Sequence, residues 1–374
     1  MADLRIVGGV DAAGQPVEVA IVGGHVVDDG PRSLPTYDAG GLHVLPGLID
    51  LQVNGVAGLD LTLEPERLWE VASALPRWGV TAFLPTIITS GPDSREAAMA
   101  VLAAGPPAGW RGAVPLGLHL EGPMLAPARK GAHPEHWLRV PAPELVEGWS
   151  RANGVALVTI APEFPGALEV IADLTARGVL VAIGHTDATS DQVLAAVDRG
   201  ARLVTHLGNA MPPFLGREPG PIAAALADPR LTAGVIADGH HLHPTTLAAF
   251  WQALGPDRFL AVTDCTAALG LPDGPTRLGE QHVVVGGGTV RLEDGTLAGS
   301  AVDLPQCLAV LRSAAGCGLA HAVATATAVP ARVLGDRSRG TIAAGARGDL
   351  TLVDDELEVA ATVVGGHLLH GEMR

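Results

Sequence analysis

The strongest constraint on the fold is an alternation of short apolar runs with segments long enough to form a helix. The apolar runs are rich in β-branched residues and end at turn-forming residues; they lie at 44–51, 80–85, 114–120, 155–160, 179–183, 202–205, 232–236 and 259–262. Segments with helical spacing of apolar residues separate them at 67–78, 94–104, 167–177, 189–199 and 244–254. Eight such units predict an α/β fold, a (β/α)₈ TIM barrel, rather than an open sheet.

Two Val-Gly-Gly-His motifs predict a second, smaller unit. One motif lies at 22–25 and the other at 364–367, each between two short apolar segments. A Gly-Gly pair in this setting indicates a β-hairpin, and a lone hairpin is only marginally stable in water. We therefore predict that residues 1–45 and 343–374 pair into one small β-sandwich-like domain. Residues 46–342 then form the catalytic barrel, inserted between the two ends of the chain.

The unit around residues 179–206 places two histidines at the same edge of the predicted sheet. The first apolar run is followed by Gly184 and His185, and the second is followed by His206, with the helical segment 189–199 between them. A strand–helix–strand unit makes its two strands parallel, so both histidines follow carboxyl ends. In barrels of this type the chemistry lies at those ends. Glu121 and Asp264 follow two other predicted strands in the same way.

These strand-end residues predict a metal-dependent hydrolytic site. Glu121, His185 and His206 offer one carboxylate and two imidazoles, a common catalytic zinc set that leaves one position for water. Zinc lowers the pKa of bound water to about 7. Asp264 is suited to take the proton of that water and to pass it to the leaving group.

The metal count is predicted from what the sequence lacks. Binuclear barrel hydrolases often have a His-x-His pair after the first strand and a carbamylated lysine after the fourth, whereas this chain has Gln52 and Asn54 at the first position. Its only lysine, Lys130, lies elsewhere. We therefore expect one divalent metal per chain, Zn²⁺ or else Fe²⁺, Mn²⁺ or Co²⁺. Gln52 and Asn54 are candidates for the remnant of a second metal site.

Charge and cysteine content restrict the partners and the compartment. The formal net charge of -16 opposes non-specific binding to nucleic acid or to an anionic membrane, so an anionic substrate needs a local basic cluster. Cys265, Cys307 and Cys317 form neither a Cys-x-x-Cys pair nor a disulfide framework, which indicates a reducing compartment. The sequence contains no pattern of a signal peptide or of a membrane-spanning run. A cytoplasmic location is expected.

Nine short motifs, in order along nearly the whole chain, carry a family resemblance. They are PGLIDLQVNG at 46–55, HLEGP at 119–123, KGAH at 130–133, GHT at 184–186, THLGNAM at 205–211, GREPG at 216–220, DGHH at 238–241, VTD at 262–264 and LAGS at 297–300. Together they resemble the N-acetylglucosamine-6-phosphate deacetylases of the amidohydrolase superfamily. The resemblance implies hydrolysis of N-acetylglucosamine-6-phosphate to glucosamine-6-phosphate and acetate, in amino sugar catabolism or recycling.

The resemblance also implies roles for individual residues. The metal ligands would be Glu121, His185 and His206, and the catalytic groups Asp264 and His133. Substrate-binding residues would be Ala132, His133, Asn209, Ala210, Arg217, His241, Leu297, Ala298 and Gly299. Arg217 would reach the phosphate of the sugar from the neighbouring subunit of a homodimer. An arginine suits this task, because its planar fork matches a phosphate dianion.

Departures from the family pattern leave alternatives open. Gly208, Cys265 and residues 301–303 differ from the usual residues and flank the expected pocket. N-acetylgalactosamine-6-phosphate, an unphosphorylated sugar or an N-acyl-D-amino acid is therefore an alternative substrate. A sugar-phosphate epimerase or aldolase and a non-catalytic binding protein are alternatives of other classes. The complete set of metal ligands with an acid/base group argues against the binding protein.

Overall fold

The computed structural model describes residues 3–373. Its strands are β1 Leu4–Val10, β2 Pro16–Val22, β3 His25–Val27, β4 Thr36–Asp38, β5 His43–Pro46, β6 Leu48–Val53, β7 Gly55–Val56, β8 Leu59–Asp60, β9 Val80–Ile88, β10 Val114–Pro115, β11 Leu118–Glu121, β12 Val155–Ile160, β13 Leu180–Ile183, β14 Leu203–Val204, β15 Thr232–Ile236, β16 Phe259–Val262, β17 Gly274–Leu278, β18 Gln281–Gly286, β19 Thr289–Arg291, β20 Leu297–Ser300, β21 Leu350–Val353, β22 Val359–Val364 and β23 His367–His370. Its α-helices are α1 Leu68–Ala74, α2 Pro92–Ala104, α3 Ala167–Ala176, α4 Ser190–Asp198, α5 Gly220–Ala227, α6 Pro244–Arg258, α7 Leu304–Ala315, α8 Leu319–Thr325 and α9 Ala328–Val333. Short 3₁₀ turns lie at Pro65–Arg67, Leu75–Trp78, Pro127–Arg129, Glu135–Trp137 and Pro143–Val146. Within residues 3–373, the helices are too short or too polar to cross a membrane.

Eight parallel strands form the barrel, and this confirms the predicted fold class. The order is β6, β9, β11, β12, β13, β14, β15 and β16, each paired in parallel with the next. The last strand returns towards the first, where the Thr263 hydroxyl donates to Asp50 Oδ2 at 2.5 Å. Strands β6, β9 and β12 are buried at every position, as expected for strands covered on both faces.

The two ends of the chain share a separate eight-stranded sheet. Its order is β23-β22-β21-β5-β1-β2-β3, with β4 paired to β1, and its own apolar core includes Ile6, Ile21, Tyr37 and Leu352. The predicted single strand at 44–51 is wrong, because β5 belongs to this sheet and β6 to the barrel. Gly47 lies between β5 and β6, at a position with no room for a side chain, because a Cβ atom there would lie 2.2 Å from Thr81 Oγ1. The domain boundaries at 45/46 and 342/343 stay a prediction.

A four-stranded antiparallel sheet, β17 to β20, follows the last barrel strand and was not predicted. Its final strand runs beside the segment that follows β16, since Ser300 N donates to Asp264 O at 2.9 Å. Gly299 permits this approach: its φ is +73°, and a Cβ atom there would lie 2.8 Å from Asp264 O. The insertion thereby brings residues 297–299 to the carboxyl end of the barrel.

Candidate active site

The two histidines emerge side by side, as the strand–helix–strand unit predicts. Strands β13 and β14 pair in parallel with Ile183 opposite Val204, and His185 and His206 follow them, both buried. Each has a left-handed backbone, with φ of 49° and 28°, and Asp264 has φ of 51°. Such a conformation costs a non-glycine residue on the order of 1–3 kcal/mol and is often found at functional sites. Three strained residues that follow β13, β14 and β16 mark the carboxyl end of the barrel as the functional one.

Glu121 and the two histidines form a compact cluster. His185 Nε2 lies 3.0 Å from His206 Nε2, and Glu121 Oε1 lies 3.3 and 3.2 Å from these two atoms respectively. Burial raises the pKa of Glu121, but the surrounding histidine rings outweigh it and hold that pKa well below its usual range. The Gln52 side-chain amide donates to the same oxygen at 3.1 Å.

The donor set of this cluster fits a divalent metal. The backbone carbonyl of Arg129 lies 2.8 Å from His185 Nδ1, and because a carbonyl only accepts, Nδ1 carries the proton. His185 Nε2 therefore directs a lone pair at Glu121 and His206. A carboxylate and two imidazoles whose ligand atoms lie within 4.8 Å of one another can share one cation.

Asp264 lies in the same pocket, oriented by an amide. Asn54 Nδ2 donates to Asp264 Oδ1 at 2.7 Å, which leaves Oδ2 available. Burial, together with the negative charge of Glu121, raises the pKa of Asp264 to about 8. A cation held by Glu121 would oppose this rise and favour the ionised form. The environment therefore suits a carboxyl group that gains and loses a proton near neutral pH.

His133 is a neutral hydrogen-bond donor facing the cluster. The backbone N–H of Thr89 donates to His133 Nδ1 at 3.3 Å, so the ring proton is on Nε2. That atom lies 3.9 Å from Glu121 Oε2. Burial lowers the pKa of His133 to about 3, with a further contribution from His185. His133 therefore presents an N–H group to the pocket at neutral pH without a positive charge.

Most residues predicted to bind substrate line this pocket, whose volume is about 480 Å³. They are Ala132, His133, Asn209, Ala210, His241, Leu297, Ala298 and Gly299. His241 Nδ1 lies 2.7 Å from Asp238 Oδ2, which fixes its ring and leaves Nε2 for a ligand. Burial raises the pKa of Asp238, but hydrogen bonding and charge from His241 outweigh it, so that pKa is lowered. Asn54 also lines the pocket, whereas Gln52 lies behind Glu121.

Arg217 is the exception among the predicted substrate residues. It lies in the exposed segment 212–218 and does not line the pocket of its own chain. The cations that do line the pocket are Arg129 and Lys130, which sequence reasoning missed as pocket residues. Arg129 and Lys130 directly precede Gly131 and Ala132, and Lys130 is the first residue of the KGAH motif. This adjacency to a predicted pocket residue was the sequence signal that could have identified them. Arg129 also pairs with Asp187 at 2.9 Å.

The barrel, the strand-end donor set and the neighbouring acid/base carboxyl define a metal-dependent hydrolase. Comparison with known proteins gives the family. The model of the amidohydrolase family matches residues 43–369. The chain belongs to the amidohydrolase family, in the branch of the amino sugar phosphate deacetylases, and is an enzyme.

Three relatives support this assignment. N-acetylglucosamine-6-phosphate deacetylase of Homo sapiens is 39% identical over 351 residues, covering 89% of this chain and 84% of that protein. N-acetylgalactosamine-6-phosphate deacetylase of Shewanella sp. (strain ANA-3) is 36% identical, covering 87% and 83%. A mutant of the Mycobacterium smegmatis N-acetyl-D-glucosamine-6-phosphate deacetylase, solved with N-acetyl-D-glucosamine-6-phosphate, superimposes with a TM-score of 0.88 at 34% identity, covering 99% and 100%. The resemblance carried by the nine motifs is confirmed.

Proposed function

We propose that this enzyme removes the acetyl group from N-acetylglucosamine-6-phosphate to give glucosamine-6-phosphate and acetate. The observation that carries the proposal is the convergence of Glu121, His185, His206 and Asp264 in one buried pocket. The activities for which the relatives are named supply the substrate class. A role in amino sugar catabolism or recycling, in the cytoplasm, belongs to the same proposal. The three unpaired cysteines are compatible with a reducing compartment.

The metal part of the proposal is one divalent ion per chain, held by Glu121, His185 and His206. Zn²⁺ suits two imidazoles and one carboxylate, and Fe²⁺, Mn²⁺ or Co²⁺ are alternatives for this set. When bound, such an ion polarises the amide carbonyl and makes water more acidic. Gln52 and Asn54 use their amide nitrogens as donors to Glu121 and Asp264, which supports a single ion over two.

The protein side chains divide the proton transfers of amide hydrolysis between them. Asp264 Oδ2 takes a proton from the attacking water, while Asn54 holds Oδ1 and so keeps the carboxylate facing the reacting carbon. His133 Nε2–H donates to the carbonyl oxygen as negative charge develops there. Asp264 then returns its proton to the nitrogen as the carbon–nitrogen bond breaks. The second proton of the water leaves with acetic acid, which ionises and gives it to the amine, so the products are the protonated amine and acetate, and Asp264 is again ionised.

The remaining residues would hold the sugar and its phosphate. Asn209, Ala210 and His241 line one part of the pocket, and residues 297–299 line another. We include a homodimer in the proposal, in which Arg217 enters the pocket of the neighbouring subunit. The exposure of the segment 212–218, with Phe214 57% and Leu215 51% exposed, supports a surface that a second chain covers.

One experiment tests the substrate assignment. Release of acetate is measured from N-acetylglucosamine-6-phosphate, N-acetylgalactosamine-6-phosphate and N-acetylglucosamine, with protein whose metal content has been determined. We expect kcat/KM to be at least about a hundredfold higher for the first sugar phosphate than for the neutral sugar, with about one metal per chain. Faster release of acetate from N-acetylgalactosamine-6-phosphate would favour the activity for which the Shewanella relative is named. No acetate from any of them would overturn the proposal and direct attention to other N-acyl compounds, including N-acyl-D-amino acids.

A further inference from the structure

The two Val-Gly-Gly-His motifs take no part in the proposed catalysis, yet the fold brings them together. Each forms a two-residue hairpin turn, with both glycines at positive φ: 60° and 81° in the first turn, 54° and 80° in the second. Gly348 joins them, because its N–H donates to Gly24 O at 2.8 Å and its carbonyl accepts from Gly366 N at 2.9 Å. The histidine that ends each motif therefore borders one shared cleft.

This cleft, which we call the turn cleft, has a volume of about 390 Å³ and lies between the small sheet and the barrel. Its polar and aromatic lining consists of His25, His367, Arg347, Arg111 and Trp110. The barrel contributes residues 109–112 and Val114, the first residue of β10, and this segment precedes β11 and so lies at the amino ends of the strands. The proposed catalytic groups follow the carboxyl ends. A ligand in the turn cleft would not compete for the catalytic pocket.

The turn cleft is basic although the whole chain is strongly acidic. Among the residues within 3–373 that line it, none is acidic, whereas the catalytic pocket contains Glu121, Asp264 and Asp294. Arg347 Nε is paired with the buried carboxylate of Asp349 at 3.1 Å, and that carboxylate also faces Arg339 Nε at 3.2 Å. The terminal nitrogens of Arg347 remain for another acceptor.

The groups in the cleft also repel one another. Burial lowers the pKa of His367, and the positive charge of Arg111 lowers it further. Within residues 3–373, no carboxylate lies within ion-pair distance of Arg111. Arg111 therefore has no carboxylate counter-charge among the described residues, and a bound anion would supply one.

We propose that the turn cleft is an anion site that binds a phosphate group, either free phosphate or the phosphate of a small organic monoester. Arg111 and Arg347 would supply guanidinium donors, and His25 and His367 would supply ring nitrogens. Trp110 offers an apolar ring edge for an organic part, and its ring is fixed because Nε1–H donates to Trp69 O at 2.8 Å. The volume is in the range of small-ligand sites.

The test uses ring resonances of His25 and His367 in the zinc-loaded, full-length protein, assigned with His25→Gln and His367→Gln. Inorganic phosphate and glucose-6-phosphate are titrated separately at constant ionic strength. We expect saturable shifts of both resonances, with a dissociation constant of about 1 mM or lower. Tighter binding of glucose-6-phosphate than of phosphate would identify an organic monoester as the ligand class, and equal binding would identify free phosphate. Resonances of His25 and His367 that do not shift, or that shift without saturating, would overturn the proposal.

Charge variants distinguish binding of phosphate at the turn cleft from a general effect of the protein's net charge. Arg111→Glu is expected to weaken the binding of phosphate at least about tenfold, which corresponds to about 1.4 kcal/mol. Arg32→Glu changes the net charge equally at an exposed arginine outside the cleft and should titrate like the wild type. Arg111→Gln is a milder second variant if the reversal lowers the melting temperature. Equal titration of Arg111→Glu and Arg32→Glu would contradict the proposal, whatever the enzyme's substrate is.

Discussion

At the scale of single residues, Asp264 depends on two neighbours for its chemistry. Asn54 holds one carboxylate oxygen at 2.7 Å, and the charge of Glu121 adds to burial in raising the pKa of Asp264 to about 8. A cation at Glu121 would act in the opposite direction. Without a metal the pKa of Asp264 is raised, and a cation at Glu121 would lower it again. The fraction of Asp264 that is protonated at a given pH should therefore change when the metal binds.

Substitution of Asp264 by Asn tests its place in the reaction. Asp264→Asn is nearly isosteric, so Glu121, His185 and His206 should still bind about one metal per chain. Turnover should fall by about 10²–10⁴ or more, because the amide cannot carry the proton to the leaving nitrogen. Asp198→Asn, at an exposed carboxylate on α4, is the matched control. Turnover of Asp264→Asn near that of the control would remove Asp264 from the mechanism.

The sequence was sufficient to predict the site residues that directly follow a barrel strand. It was not sufficient to predict contacts between residues that lie far apart in the chain. His185, His206 and Asp264 are recognisable because each directly follows an apolar run. The bond from Asn54 to Asp264 joins residues 210 positions apart and has no local signal. The close packing around Gly208 is likewise visible only in the fold: its φ is +88°, and a Cβ atom there would lie 3.0 Å from Leu242 and 3.2 Å from Phe250.

At the scale of elements, the regular barrel units were predictable and the insertions were not. Strands β12, β15 and β16 have the predicted bounds, because a buried apolar run between turn residues largely fixes where a strand begins and ends. Sheet β17 to β20 was missed because its strands are short and half-exposed, and their alternation resembles that of a polar loop. Helix α7 follows this sheet and is capped by Asp303, whose Oδ1 accepts from Gln306 N at 2.9 Å.

The cap of α7 should make stability depend on pH. Burial raises the pKa of Asp303 from 3.8 to about 6, with Glu358 adding to the rise and the bond from Gln306 opposing it. Between about pH 4 and 6 the unfolded chain is ionised while the folded chain retains the proton, so this residue's contribution to stability falls as pH rises. Asp303→Asn keeps a capping oxygen and cannot ionise.

We therefore expect Asp303→Asn to be more stable than the wild type at pH 7.5, by on the order of 1 kcal/mol after allowance for partial exposure, and nearly equal to it at pH 4. Denaturant unfolding across this range measures the difference in the free energy of unfolding. Asp93→Asn, at an exposed first-turn position of α2, is the control for the loss of a carboxylate near a helix start. A difference between Asp303→Asn and wild type that stays constant with pH would contradict the expectation.

At the scale of the whole molecule, the proposed homodimer decides whether Arg217 can take part in binding a phosphorylated sugar. Arg217 is exposed and outside the pocket of its own chain, within a segment that also exposes Phe214 and Leu215. The chain has a net charge of -16 and repels a phosphate dianion, so a local guanidinium group would favour binding of the phosphate. The role of Arg217 across a dimer is a prediction from the family resemblance, because a residue that acts in a neighbouring copy leaves no trace in the periodicity of its own chain.

Mixing two inactive variants tests whether Arg217 acts across the dimer. Arg217→Ala should raise KM for the phosphorylated substrate and change the reaction of the neutral sugar little, whereas Asp264→Asn loses turnover with both. In a mixed dimer, one site has an intact Asp264 and receives Arg217 from the other subunit. Random reassociation of equal amounts should then restore about a quarter of wild-type activity at low substrate concentration.

The same mixture also tests the oligomeric state. If Arg217 acts within its own chain, every site in a mixed dimer lacks one of the two groups, and mixing restores nothing. Arg32→Ala in place of Arg217→Ala is the matched control, because its subunits keep both groups and mixing with Asp264→Asn should then only dilute activity. Recovery that appears with Arg217→Ala, and that requires unfolding and refolding of the two variants together, would establish both the dimer and the shared site. Light scattering that gives the mass of one chain would refute them.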